Sequence, residues 1–295
     1  WTWMMMKQYR IGYLMIAPFM IMFFIFTIIP VAASLLLSFT SYNMIQMPKF
    51  IFMQNYIQLF LTDELFIIAL KNTMIFAIAT GPGSYFISLI TAWFLNELSP
   101  RARSIVTFIF YAPSISGNAM LVWTLAFSGD SYGYVNGWLM KLGIISEPIL
   151  WFTNTKYIMP LCIVVSLWMS LGTSFLAFIA GFQGINHDMY EAAAIDGIKN
   201  RWQELWYVTL PSMKPQLMFG AVMAITGAFN FGGVVESLAG NPTTDYCAYT
   251  LTMHLNEYSG VRWEVGYASA IAFIMFLLMF GSNMLIHKLL SKVGQ

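Results

Sequence analysis

Charge is what this sequence has least of. Asp, Glu, Lys and Arg make up 9% of its 295 residues, against 59% hydrophobic residues. A soluble domain carries about 25% charged residues. Cysteine occurs twice, as Cys162 in an apolar run and Cys247 in a polar segment, which excludes a disulfide framework. The dipeptide Gly-Lys never occurs, so the phosphate-binding loop G-x4-G-K-[S/T] is absent. Histidine is limited to His187, His254 and His287, none deep in an apolar run. That leaves no Ser–His, paired-carboxylate or zinc-type constellation for an enzyme working inside a membrane. A net charge of +1 gives nucleic acid nothing to bind.

The absence of charge has a pattern. Six stretches contain no Asp, Glu, Lys or Arg: 11–48, 72–96, 104–129, 157–186, 215–235 and 265–287. A helix needs roughly 20 apolar residues to cross a bilayer, so each stretch can hold one span. Too little polar chain remains to enclose six core helices. The sequence predicts an all-α, multi-pass membrane protein, a single transmembrane domain over 1–295, with spans near 11–39, 72–95, 104–127, 157–182, 215–235 and 265–287. The first run is too long for the apolar part of a signal peptide, and Pro18 and Pro30 interrupt it without a small-residue cleavage pattern. It reads as a retained span.

Loop charges set the expected orientation. With both termini cytoplasmic, Lys7, Arg10, Arg101, Arg103, Lys199, Arg201, Lys214, Lys288 and Lys292 lie inside. Lys49, Lys71, Lys141, Lys156 and Arg262 lie outside, a bias of nine to five. Positive charge favours the cytoplasmic side, so the expectation is N-in and C-in.

What charge there is gathers between Asp188 and Lys214, where seven charged residues fall in 27 positions around Ala192, Ala193 and Ala194. The segment predicts two short helices. Asp188 with Glu191 fits a capping box opening the first, and Gly197 can take the left-handed conformation that ends it. Asn200 with Gln203 opens a second, which Pro211 stops near Leu210. Trp202, Leu205, Trp206 and Thr209 would share one face at helical spacing, a face suited to the membrane interface.

The stretch "EAAAIDG" followed by "VTLP" resembles the cytoplasmic signature of permease subunits of binding-protein-dependent ABC importers. That pattern runs E-A-A, three residues, G, about nine residues, then I-x-L-P. Glu191, Ala192, Ala193, Gly197, Leu210 and Pro211 match, Val208 replaces Ile, and ten residues rather than nine separate Gly197 from Val208. Asn55–Tyr56, "ALKNT" at 69–73, "YGYVNGWLMKLG" at 132–143 and "GYASA" at 266–270 resemble the carbohydrate-importer branch, of the maltose and glycerol-phosphate type.

The resemblance implies a type I ABC importer permease fold in a bacterial or archaeal cytoplasmic membrane. It implies that 186–214 is a coupling loop docking in a cleft of a cytoplasmic ATPase, through Glu191, Ala192, Ala193, Asp196, Gly197, Leu210 and Pro211. Its implied partners are a second permease subunit, two copies of the ATPase and an extracytoplasmic solute-binding protein. No cofactor is expected on this chain; ATP and Mg belong to the ATPase. The expected function is half of a translocation pathway for a sugar or oligosaccharide. Alternatives are another small solute (an amino acid, phosphate or a polyamine) or a secondary transporter. Secondary carriers usually keep ionisable groups within their spans, and here only His287 sits at the edge of one.

Polar groups inside spans are expensive and tend to face a cavity or another helix. Candidates for the substrate path are Asn118 after Pro113, then Trp168, Ser170 and Thr173, then Thr226, Phe229 and Asn230. An aromatic ring beside an amide suits a sugar, whose apolar face stacks and whose hydroxyls bond. Pro82 and Pro113 are expected to break the second and third spans.

Overall fold

A computed structural model describes residues 9–290. Lys7 and Lys292, counted above for orientation, lie outside them. Every regular element among the described residues is helical, and one isolated antiparallel bridge joins Thr40 and Phe50. In chain order the helices are α1 (Arg10–Leu37), α2 (Gln54–Leu61), α3 (Glu64–Asn96), α4 (Pro100–Ile115), α5 (Ala119–Ala126), α6 (Tyr134–Lys141), α7 (Thr155–Met169) and α8 (Thr173–Gln183). There follow α9 (His187–Ile195), α10 (Arg201–Glu204), α11 (Leu210–Ser212), α12 (Lys214–Phe229), α13 (Gly232–Ala239), α14 (Leu251–Asn256) and α15 (Val265–Leu290).

Four runs are long and apolar enough to cross a membrane: α1, α3, α7 with α8 over Thr155–Gln183, and α15. Two bent pairs raise the number to six if each counts as one span: α4 with α5, bent by 83°, and α12 with α13, bent by 43°. The strong bend falls in the third run, where Pro113 was expected to break the helix. Pro113 lies inside α4, and the chain leaves the helix three residues later, at Ser116.

Pro82 does the opposite of what was expected. α3 runs through it unbroken from Glu64 to Asn96. A proline inside a helix removes one backbone donor, and neighbouring hydroxyls commonly take up freed carbonyls. Thr80 Oγ1 donates to the Phe76 carbonyl at 2.8 Å and Ser84 Oγ to the Gly81 carbonyl at 3.0 Å, on either side of the Ile78 carbonyl that Pro82 leaves without its usual donor. α3 also begins eight residues before the charge-free run does, because one lysine, Lys71, ends the run without ending the helix.

The chain divides into two compact units. The first comprises the described parts of Trp1–Asp63 with Leu255–Ile274. Its long helix α1 has no buried residue, so its entire apolar surface is turned outward. Asn55 stitches the segment after α1: its amide donates to the Ser38 carbonyl at 2.8 Å and the Thr40 carbonyl at 3.0 Å. Tyr56 adds a 2.7 Å bond to Ser38 Oγ. Asp63 accepts from Tyr267 Oη at 2.8 Å. Gly266 has no room for a side chain, since a Cβ there would meet the Thr40 carbonyl.

The second unit, the described parts of Glu64–His254 with Met275–Gln295, is built on α3, α8 and α12. Phe175, Phe178 and Phe182 of α8 pack with Ala92 and Leu95 of α3 and with Leu210, Met213 and Leu217. The close approach of α8 and α12 depends on glycine. A Cβ on Gly220 would enter the ring of fully buried Phe178, and one on Gly181 would lie 2.7 Å from Met213 Cε.

Buried asparagines hold the loops of this unit. Asn136 has no exposed surface and accepts from or donates to Ser128, Asp130, Ile149 and Trp151. Asn72 donates to the carbonyls of Tyr246 and Tyr249, both at 3.0 Å. Cys162 and Cys247 are free thiols.

Gly220→Ala is expected to destabilise the second unit by about 1–3 kcal/mol through overpacking. Gly227→Ala, where nothing lies within 4 Å of the added carbon, should leave stability unchanged or slightly raised. Thermal unfolding of both variants in mild detergent checks the contrast; equal midpoints would refute the packing account.

Candidate functional site

Two features of the second unit carry the chemistry. The first is the polar segment around α9. Its N-cap is Asn186, whose side chain accepts from the Asp188 N–H at 3.2 Å, not Asp188 as the sequence implied. Asp188 sits in the first turn instead, where a negative charge favours the helix dipole. The other end is a Schellman turn: Ile198 N–H donates to the Ala193 carbonyl at 3.0 Å and Gly197 N–H to the Ala194 carbonyl at 3.3 Å. It requires Gly197 at φ +96°, which glycine adopts without strain.

The second helix also differs from its sequence prediction. Asn200 caps it as expected, accepting from Gln203 N–H at 2.9 Å, while Gln203 Oε1 accepts from Lys199 N–H at 3.0 Å. After α10, however, residues Leu205–Thr209 form a π turn, and the helix passes through Pro211 to end at Met213. A π turn fits one more residue than an α turn, and the spacing from Gly197 to Val208 is one residue longer than the importer pattern. Trp202 and Trp206 therefore stay outward while Thr209 turns in, breaking the shared face. Trp202 packs at 4.9 Å on Trp93 of α3.

Buried Thr209 is the pivot. Its hydroxyl donates to the Glu204 carbonyl at 3.2 Å and lies 3.2 Å from Tyr190 Oη of α9. Partial burial raises the Tyr190 pKa above its ordinary value, and the Thr209 bond offsets part of that. Arg201 ties the loop to the end of α3, with one nitrogen on Glu204 at 3.0 Å and the other on Glu97 Oε2 at 2.9 Å. The hydrogen bond and charge of Glu204 raise the guanidinium pKa further.

These contacts decide which predicted docking residues face outward. Glu191 does, with its carboxylate 71% exposed and 3.3 Å from His187 Nδ1. Ala192, Asp196 and Gly197 do too. Ala193 does not: three residues after Tyr190, it shares that residue's inner face and is buried. Leu210 belongs to the α3–α8–α12 core, and Pro211 is half-buried beside it. Ile195, 87% exposed at the tip of α9, and Glu97, which accepts from Arg201, join this segment without having stood out in the sequence.

The second feature is a cavity of about 230 Å³ among α3, α7, α8, α12 and α13. Of the path candidates, Ser170, Thr173 and Asn230 line it. Phe229 is buried, and Phe231 takes its place in the wall, stacked 4.8 Å from Phe76. Thr226 is exposed and bonds to the Val222 carbonyl. Trp168 packs edge-to-face on Trp123, and Asn118 is exposed at the α4–α5 bend; neither lines the cavity. Thr80 and Ser84 of α3 and Ser166 of α7 do, and only the helix packing reveals them. No lining residue is charged.

Apolar helices around a cavity lined by apolar groups, hydroxyls and one amide, with no charge, fit a transport permease. The chain belongs to the family described as binding-protein-dependent transport system inner membrane component, whose model matches residues 84–294. It is 34% identical over 279 residues to the probable ABC transporter permease protein YesP of Bacillus subtilis, covering 92% of this chain and 88% of that one. It is 29% identical to the lactose transport system permease protein LacF of Rhizobium radiobacter, covering 91% and 90%. A crystal structure of a bacterial alginate ABC transporter, in complex with alginate pentasaccharide-bound periplasmic protein, matches with TM-score 0.76 and 25% identity over 99% of both chains. The fold is thus that of a type I ABC permease.

Tyr190→Phe removes the hydroxyl that meets Thr209 and should loosen α9 by about 1 kcal/mol. Amide exchange in 187–195 of the purified chain is expected to rise several-fold, with exchange in α3 unchanged; no rise would remove Thr209 from its pivotal role.

Proposed function

We propose that this chain forms half of the membrane pathway of an ATP-driven importer for a sugar or oligosaccharide. Each bent pair counts as one span, giving six, with both termini and the α9 loop on the cytoplasmic side. The whole chain acts as one permease domain in the cytoplasmic membrane of a bacterium or archaeon. A second permease subunit completes the pore, and the exposed apolar face of α1 meets lipid or that subunit. Two copies of a cytoplasmic ATPase bind and hydrolyse ATP with Mg, and a solute-binding protein delivers the ligand outside.

The observation that carries this proposal is the outward face of α9. Glu191, Ala192, Asp196 and Gly197 face outward, with Glu191 meeting His187 of the same helix, on a loop joined to the end of α3 by the Arg201–Glu97 ion pair. That outward face is open to a partner. The importer resemblance supports seating these positions in the ATPase cleft, with Ala193, Leu210 and Pro211 as the loop's internal support. The sugar cargo is supported by relatives named for lactose and for arabinooligosaccharides, and by the hydroxyl- and amide-lined cavity containing Ser170, Thr173 and Asn230.

Glu191→Lys and Gly197→Asp should each lower ATP-dependent uptake by about tenfold or more, equivalent to ~1.4 kcal/mol of lost coupling. Both variants should still insert, because neither side chain is part of the core. Uptake into proteoliposomes holding the assembled complex is the measurement. Normal uptake in both would refute the docking role.

A further inference from the structure

The cavity's wall holds two kinds of hydrogen-bonding group. Four hydroxyls have already committed their protons to main-chain carbonyls. Thr80 donates to Phe76 at 2.8 Å, Ser84 to Gly81 at 3.0 Å, Ser166 to Cys162 at 2.6 Å and Ser170 to Leu167 at 2.6 Å. A hydroxyl whose proton is used locally still presents oxygen lone pairs, so these four groups accept hydrogen bonds. The start of α8 also meets the cavity. Gly172 offers no capping side chain there, and Thr173 and Ser174 line the cavity from the first turn. Ser174 is 7% exposed, and Asn230 adds an amide that both donates and accepts. Helix starts donate.

We infer that this cavity selects uncharged polyhydroxylated ligands and rejects both acidic and cationic sugars. This rests on the proposed transport role of the cavity. A carboxylate only accepts, so it would leave the four committed oxygens without a donor. An ammonium group only donates, and would leave the first turn of α8 without an acceptor. A sugar hydroxyl does both, and can meet either kind of group. No lysine, arginine, aspartate or glutamate lines the wall to compensate a full charge. An uncompensated charge at membrane depth is strongly unfavourable. The alginate transporter that shares this fold imports an acidic polysaccharide; by this inference such a ligand is rejected here.

The test places a reporter thiol in the wall. Thr173→Cys, and separately Asn230→Cys, are made in the full chain and assembled with its partners in proteoliposomes under ATP turnover. The parent chain, with its own two cysteines, supplies the background. Three methanethiosulfonates of similar size are compared: a neutral hydroxyethyl, an anionic sulfonatoethyl and a cationic trimethylammonioethyl reagent. Each rate is divided by that reagent's rate with a free thiol in water. The neutral reagent should react about tenfold faster than either charged one at both positions. An anionic or cationic reagent reacting within twofold of the neutral one would overturn the inference while leaving the transport role intact. No labelling by any reagent at either position would instead remove the cavity from the pathway, and the inference with it.

Discussion

Helices in an apolar setting have no water to receive a stray backbone N–H or C=O, and the architecture follows from meeting that demand within the chain. At several loops and helix starts a side chain takes over. Asn55, Asn72 and Asn136 each donate to two or more carbonyls of a loop or turn. Ser and Thr hydroxyls bond main-chain carbonyls locally, as at Thr80 and Ser84. A protein with 9% charged residues is held in shape by amides and hydroxyls.

That demand also accounts for what was legible in the sequence. The short pieces that suggested a carbohydrate importer are these stitches. Asn55–Tyr56 fastens the chain after α1, Asn72 lies in "ALKNT", Asn136 in "YGYVNGWLMKLG", and Gly266 with Tyr267 in "GYASA". Six apolar runs announced the helices, and Gly197 and Asn200 marked loop boundaries that the structure keeps. The break after Pro113 was legible from the proline, but its 83° size at Ser116–Asn118 was not, because the turn changes neither charge nor hydropathy. The continuity of α3 escaped, since a proline removes one donor without by itself ending a long helix.

The cavity was half legible. Ser170, Thr173 and Asn230 could be proposed from polarity inside a span. Phe229 and Phe231 flank Asn230 symmetrically in sequence, and only the helix end at Phe229 decides that Phe231 faces the cavity. Thr80, Ser84 and Ser166 come from other runs, and nothing local distinguishes them from hydroxyls that merely bond their own helix. The clamp on α9 was hidden for a related reason: Glu97 and Arg201 lie 104 residues apart.

The π turn at Leu205–Thr209 bears on how such a loop changes length. An inserted residue in an ordinary helix rotates everything after it by about 100°. Here the surplus is stored in one widened turn, with Glu204's carbonyl met by the Thr209 hydroxyl. α9 before it and the core helix after it keep their facings. Chain length in this segment is thereby decoupled from geometry at either end, and a loop one residue shorter could present the same surface by relaxing to α.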